Sequence, residues 1–393
     1  MKTRLHVLSA CAGFILFAAT IGRAEALPAQ TNSPLKQGDA ITLGDRAAVL
    51  TKLDTLPFVD SEYSRRYRFD TFDNPRLKLL RERYHLDEVI APGKTEFDRQ
   101  VLLLDWVNHR FKKFGKPSTP AKGALDILSA VDKGDSFFCT QYGEVMVSAA
   151  ASLGWVDRPL ALRRPDNRWH GATEHTSTEI WSNQYGKWLL FDPTFSMYVE
   201  KDGKPLSAYE FRQEWFYRDA ADVTFVQDKD RKRYKKSDMP VLRGRYPGFG
   251  DLTFDPGATD VYAFIGYIPN TDVLDKGYDY GRMFITKDKI CDGTQWHHRT
   301  NPANPATDPY FPINQAAVTL TTDGSLLHVA LKTLTPNFKT YQIRFDDGVW
   351  KPATDSFTWA PHVGANRLAA RSVNQFGVEG PISTADVEMK AGK

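Results

Sequence analysis

From Cys139 to Leu153 the chain has the apolar period of a helix, and two runs with the period of a strand follow it. Tyr142, Val145, Met146, Ala149, Ala150 and Leu153 recur at helical spacing after the cysteine. His175, Ser177, Glu179 and Trp181 then share one face of an alternating run. A polar turn over residues 182–186 leads into Lys187-Trp-Leu-Leu-Phe-Asp192, closed by Pro193-Thr194. Strands joined by so short a turn lie antiparallel, so His175 and Asp192 are expected side by side. A helix feeding antiparallel strands predicts an α+β fold with the Cys139 helix packed on the sheet.

The three residues have complementary chemistry. A thiol at a helix N-terminus sits at the positive end of the macrodipole, which favours the nucleophilic thiolate. A histidine within reach can take its proton, and an aspartate can orient the imidazole. Cys139, His175 and Asp192 are therefore the candidate catalytic residues. His170 also lies between the cysteine and the aspartate, but the stretch Pro165–Gly171 is rich in turn formers. A strand holds a base more firmly than a loop, which favours His175. Taken singly, each residue has a plainer reading. Cys139 could be inert core or half of a disulfide, His175 a hydrogen-bonded strand residue, and Asp192-Pro193 a turn. Glu179 and Trp181 read as structural partners within their strand.

In this order and spacing the elements resemble the transglutaminase-like superfamily, in its secreted bacterial type with a papain-like Cys-His-Asp core. Cys139 stands at the helix start, His175 to Glu179 match a His-x-x-x-Glu strand, and Asp192-Pro193 ends the Trp-containing strand. The resemblance spans roughly residues 94–215. Ser177 stands where such chains usually carry an aromatic residue, and the turn between the strands is slightly long. The resemblance implies acyl transfer through a thioester on Cys139. Water as acceptor would make the protein an amidase or peptidase, and an amine would make it a cross-linking transferase. The implied substrate is a peptide, protein or cell-wall/glycan-linked amide, with no cofactor and no metal.

The first residues read as a signal peptide over 1–26. Lys2 and Arg4 precede an apolar stretch from Leu5 to Ile21, and Ala24-Glu25-Ala26 fits a cleavage site. A secreted or periplasmic protein with no transmembrane segment is expected. The formal charge of the 393-residue chain is +3. Residues 1–26 hold Lys2, Arg4 and Arg23 against Glu25, which leaves about +1 for the remainder. Such near-neutrality argues against a general nucleic-acid binder. Past residue 26 the only cysteines are Cys139 and Cys291, and a bridge between them is the rival account of Cys139.

The remaining organisation follows from composition shifts. Residues 27–93 read as an N-terminal extension, with a helix from Asn74-Pro75 to about Arg83. Residues 94–227 read as the catalytic domain, with a helix from Glu96 to about Phe114 and another over 121–131. The charge run Asp228–Lys236 marks a solvated linker over 228–245. Residues 246–315 read as a β-rich connecting region in which Tyr262, Phe264, Tyr267, Tyr278 and Tyr280 are core aromatics or a sugar-stacking surface. Alternating runs over 316–393 predict a β-sandwich of immunoglobulin or fibronectin type. His297-His298 lack a carboxylate cluster, and zinc at His170, Glu174 and His175 is disfavoured. The alternative function is a non-catalytic extracellular or periplasmic protein that binds a polysaccharide or partner.

Overall fold

Helix starts follow from caps written into the sequence. The computed structural model describes residues 33–118, 120–164, 174–246, 250–254, 259–286, 301–303 and 307–392. Residues 1–26, expected to be a signal peptide, lie outside them, as do His170, Cys291 and His297-His298. Among the described residues the α-helices are α1 (Pro75–Arg83), α2 (Leu86–Ile90), α3 (Glu96–Arg110), α4 (Ala124–Asp132), α5 (Cys139–Ser152) and α6 (Ala208–Arg218). Asn74 Oδ1 accepts from Arg76 N at 3.0 Å, with Pro75 in the first turn. Thr95 and Asp98 form a reciprocal capping box at the start of α3. That helix ends at Arg110, short of the expected Phe114, because Phe111 turns extended and Phe114 pairs with Phe137.

A 10-stranded sheet carries the centre of the molecule. Its path runs Asn301–Ala303, Phe284–Thr286, Phe264–Tyr267, Asp157–Arg163, Glu174–Ser182, Lys187–Asp192, Met197–Lys201, Thr224–Gln227 and Lys232–Tyr234, and the tenth strand, Lys204–Pro205, pairs with Met197–Lys201 off that path. Alternate side chains point to opposite faces, and both faces are covered, so both are apolar. Ile180, Leu189 and Phe191 pack with Phe97, Val101, Val145 and Met146 from α3 and α5. Trp181, Trp188 and Leu190 pack on the other face with Phe211 of α6, Tyr67 and Phe311. The architecture is α+β, with α5 against the central strands.

Beneath the second face lies a fully buried ion pair. Arg158 and Glu179 are cross-strand partners, joined at 3.0 and 2.7 Å from Nε and Nη2 to one carboxylate oxygen. The guanidinium lies 4.1 Å from the Trp188 ring centroid, 4.9 Å from Tyr310 and 5.1 Å from Tyr267. The other Glu179 oxygen accepts from Ala208 N and Tyr310 Oη at 2.7 and 2.9 Å. Glu179 thus fixes the strand register and the start of α6.

Two further sheets share one apolar core. A six-stranded sheet is ordered Ala40–Leu43, Arg46–Asp54, Ser383–Met389, Gly364–Asn374, Phe338–Phe345, Lys351–Ala353. The three-stranded sheet holds Ala317–Asp323, Leu326–Lys332 and Ser356–Trp359. Leu50, Leu320, Val329, Ile343 and Leu368 meet between them. Residues 40–54, expected within an N-terminal extension, form a strand pair here, and Arg46–Asp54 takes its second partner, Ser383–Met389, from more than 300 residues away. This part is fastened to the end of α5, where Asn374 Nδ2 donates to Gly154 O at 2.8 Å.

The charge run 228–236, expected as a solvated linker, folds onto the central sheet instead. Lys229 N donates to Asp105 Oδ1 at 3.0 Å, and Arg231 and Arg233 pair with Asp98 and Glu200. The acids that hold it lie in α3 and in a distant strand, which local reading does not connect. Among the described residues no helix is long and apolar enough to cross a membrane.

Candidate active site

Cys139 is the first residue of α5, half-buried and with a free thiol. The first amides of a helix have no partner within it, and Cys139 stands among them. His175 is the second residue of the strand Glu174–Ser182 and is 8 % exposed. Its Nε2 lies 2.7 Å from Asp192 Oδ2. Asp192 is 1 % exposed, and its other oxygen accepts from Thr194 N at 3.0 Å. The turn after it is held from α3, where Asn108 Nδ2 donates to Pro193 O and Thr194 O at 3.1 and 2.8 Å. The Phe195 ring packs 5.7 Å from the His175 ring.

The Asp192 bond occupies one ring nitrogen and leaves the other for the sulfur. His175 Nδ1 is buried with no partner at hydrogen-bonding geometry in the resting protein, yet thiol and imidazole perturb each other. Such contacts are often loose without substrate and tighten with it. Burial opposes charge on both groups. Against it, the His175 side chain and the Thr176 backbone N–H bring the Cys139 thiol below its ordinary value. Burial likewise disfavours the imidazolium, but the Asp192 charge and hydrogen bond, with Cys139, push His175 up to about 10. The electrostatics favour a thiolate–imidazolium pair. The structure therefore brings together all three residues singled out in the sequence.

Tyrosines from the stretch after residue 259 complete the surroundings. Tyr280 Oη lies 3.2 Å from Thr140 Oγ1 and 3.4 Å from Thr176 Oγ1, the neighbours of Cys139 and His175. Tyr278 packs on α5, where Gly143 leaves room for its hydroxyl; a Cβ there would stand 2.5 Å from Oη. Its N–H donates to Glu144 Oε1 at 3.3 Å, and burial pushes Glu144 up to about 7. Burial, and then the Asp192 charge, hold Tyr262 protonated. Tyr262 and Tyr267 are core aromatics, whereas Tyr280 is partly exposed at the site. Nothing local in the sequence marks Tyr280 as a neighbour of Cys139, since 140 positions separate it from Thr140.

Among the described residues one group could in principle hold a cation: Asp105, His109 and Asp228. Asp105 Oδ1 already accepts from Lys229 N and Ser196 Oγ at 3.0 and 3.4 Å. His109 Nδ1 faces the Asp105 carbonyl at 2.8 Å. The set is satisfied without an ion.

No protein-family model and no curated protein sequence matches the chain. Among solved structures, a provisionally assigned cysteine protease from Cytophaga hutchinsonii is similar at 14 % identity and a TM-score of 0.26. The match covers 38 % of this chain and 49 % of that one, so the chain spans about half of that protein. Red sea bream transglutaminase is similar at 11 % identity and a TM-score of 0.23, over 75 % of this chain and 68 % of that one.

Proposed function

We propose that the protein is a cysteine-dependent acyl-transfer enzyme with a transglutaminase-like core over residues 94–227. The carrying observation is the 2.7 Å bond from His175 Nε2 to Asp192, which leaves Nδ1 as the base for the thiol at the start of α5. The Cys139 thiolate attacks an amide or ester carbonyl carbon, and the carbonyl electron pair moves to oxygen. An amide of the first turn of α5 donates to that oxyanion. As the tetrahedral adduct collapses, the C–N bond breaks, the leaving amine takes the proton from His175, and a thioester remains. Water or an amine, deprotonated by His175, then attacks the thioester and returns the thiol. Asp192 keeps the ring oriented and stabilises its cation.

In this reading the protein is secreted or periplasmic and acts on a peptide, protein or cell-wall/glycan-linked amide. The two sheets built on residues 40–54 and 316–389 serve as an immunoglobulin-like β-sandwich that places substrate or attaches the protein. The test is acylation by p-nitrophenyl acetate, followed by release of nitrophenol and by peptide mass mapping. The expected result is a stoichiometric burst with the acetyl group on Cys139, lost in Cys139→Ala. Acylation no faster than that of a free cysteine would refute the reading.

A further inference from the structure

A lysine-rich segment runs beside the chain that leads into Cys139. Phe114 and Phe137 form a parallel bridge, and Gly115 N donates to Phe137 O at 3.0 Å. Ser136 Oγ donates to Lys116 O at 2.8 Å. This pairing sets the backbone of residues 114–116 beside that of Ser136 and Phe137, two to three residues before Cys139, and Lys112, Lys113 and Lys116 of that segment are all exposed. Lys122 and Lys133, at the two ends of α4, are exposed as well. Lys113 Nζ reaches only the Gly134 carbonyl, at 3.5 Å. None of these lysines forms an ion pair among the described residues, although Arg110 close by pairs with Asp132.

The acids of the same stretch are mostly engaged. Asp132 is held by Arg110, and Asp135 Oδ1 accepts from Ser118 N and Ser136 N at 2.8 and 2.9 Å. Asp126 is the exposed exception. Elsewhere on the chain, basic side chains close onto acids, as Arg231 does on Asp98 and Arg233 on Glu200. Uncompensated cations beside a half-buried site raise the local concentration of anions. We infer that the site selects acyl substrates carrying a carboxylate next to the reacting amide, as in a peptide segment with Asp or Glu beside the scissile bond. This rests on the acyl-transfer reading for Cys139.

Iodoacetate and iodoacetamide test it. In both, the thiolate attacks the methylene carbon and iodide leaves with the electron pair. They differ in carrying a carboxylate or a neutral amide. The rate ratio of iodoacetate to iodoacetamide reports the field at Cys139, whatever the absolute reactivity of the thiol. In the full-length protein that ratio should fall on the order of three-fold as the screening length drops from about 30 Å to about 3 Å with added salt. The triple variant K112E/K113E/K116E should lower the low-salt ratio by on the order of ten-fold, and the ratio cancels any accompanying change in the thiolate fraction because both reagents react with the same thiolate. K112Q/K113Q/K116Q should give an intermediate loss and serves if charge reversal prevents folding. A ratio indifferent to both salt and these substitutions overturns the inference. A thiol slow toward both reagents would instead refute the acyl-transfer reading, and the ratio would still decide the present point.

Discussion

His175 and Asp192 are joined at 2.7 Å across 17 positions of sequence, yet they are not opposite one another in the strand ladder. Thr178 pairs with Phe191, so the register continues to place Asp192 opposite Ser177 and His175 one diagonal away on the same face. Ser177 is small and fully buried, and it spends its hydroxyl on Phe191 O at 2.8 Å. The diagonal is thus open for the imidazole to reach the carboxylate.

Loss of the Asp192 charge should be read directly at the thiol. In the wild-type protein Cys139 is lowered and His175 is raised to about 10, so both shifts favour the thiolate–imidazolium pair over the neutral one. Asp192→Asn removes the main cause of the His175 shift, so the imidazolium discharges at lower pH and the thiol titrates higher. Iodoacetamide alkylation should slow at pH 7 by at least ten-fold, with its midpoint moving toward about 8.5. An unchanged rate–pH profile would remove Asp192 from the site.

Glu144 makes stability depend on pH. Its carboxyl is raised to about 7 by burial, so the folded state binds a proton that the unfolded chain has released. Stability is full below the ordinary glutamate range, falls as pH rises toward 7, and levels off above it. The drop is on the order of a few kcal/mol. Glu144→Gln should flatten the melting temperature between pH 5 and 8, measured by circular dichroism. A variant that keeps the wild-type slope would contradict this account.

The Arg158–Glu179 pair should be costly to halve and cheap to replace whole. Glu179→Ala leaves a buried guanidinium uncompensated and should cost about 3–5 kcal/mol in urea unfolding. Arg158→Met with Glu179→Leu removes both charges and should recover at least half of that loss. Equal damage from the double and single changes would mean that the acceptor role toward Ala208 N and Tyr310 outweighs the charge balance.

Gly143 is required by one atom. Gly143→Ala places a methyl 2.5 Å from Tyr278 Oη, displaces the ring that backs the site, and should cost about 1–3 kcal/mol. That hydroxyl is buried without a partner, so Tyr278→Phe alone should be mild. Together the two changes should be less destabilising than their sum. Strict additivity in a double-mutant cycle would show that the contact does not carry the effect.

The parts legible in the sequence are those set by near neighbours. Asn74 and Thr95 announced their helices because a cap bonds two or three residues onward. Cys139, His175 and Asp192 were legible because helix, turn and strand follow one another within about one supersecondary unit. Asn108, which holds the turn after Asp192, carries no such mark: its contact lies 85 positions away. Tyr280 belongs to the same class. The charge run 228–236 misled for the related reason that its countercharges, Asp98 and Glu200, are distant in sequence.

The pairing of Arg46–Asp54 with Ser383–Met389 sets an order of events on the ribosome. Thr51 leaves the tunnel 335 residues ahead of Asp386, whose carbonyl accepts a hydrogen bond from the Thr51 hydroxyl. At about 5–20 residues per second the early strand waits for tens of seconds, with its neighbour on that side not yet made. The whole of the Cys139 region is synthesised in that interval. A chain that stalls before Ser383 therefore displays an unsatisfied strand edge, the surface on which aggregation is templated. Ser383–Met389 acts as the clasp that closes this sheet, between Arg46–Asp54 and Gly364–Asn374.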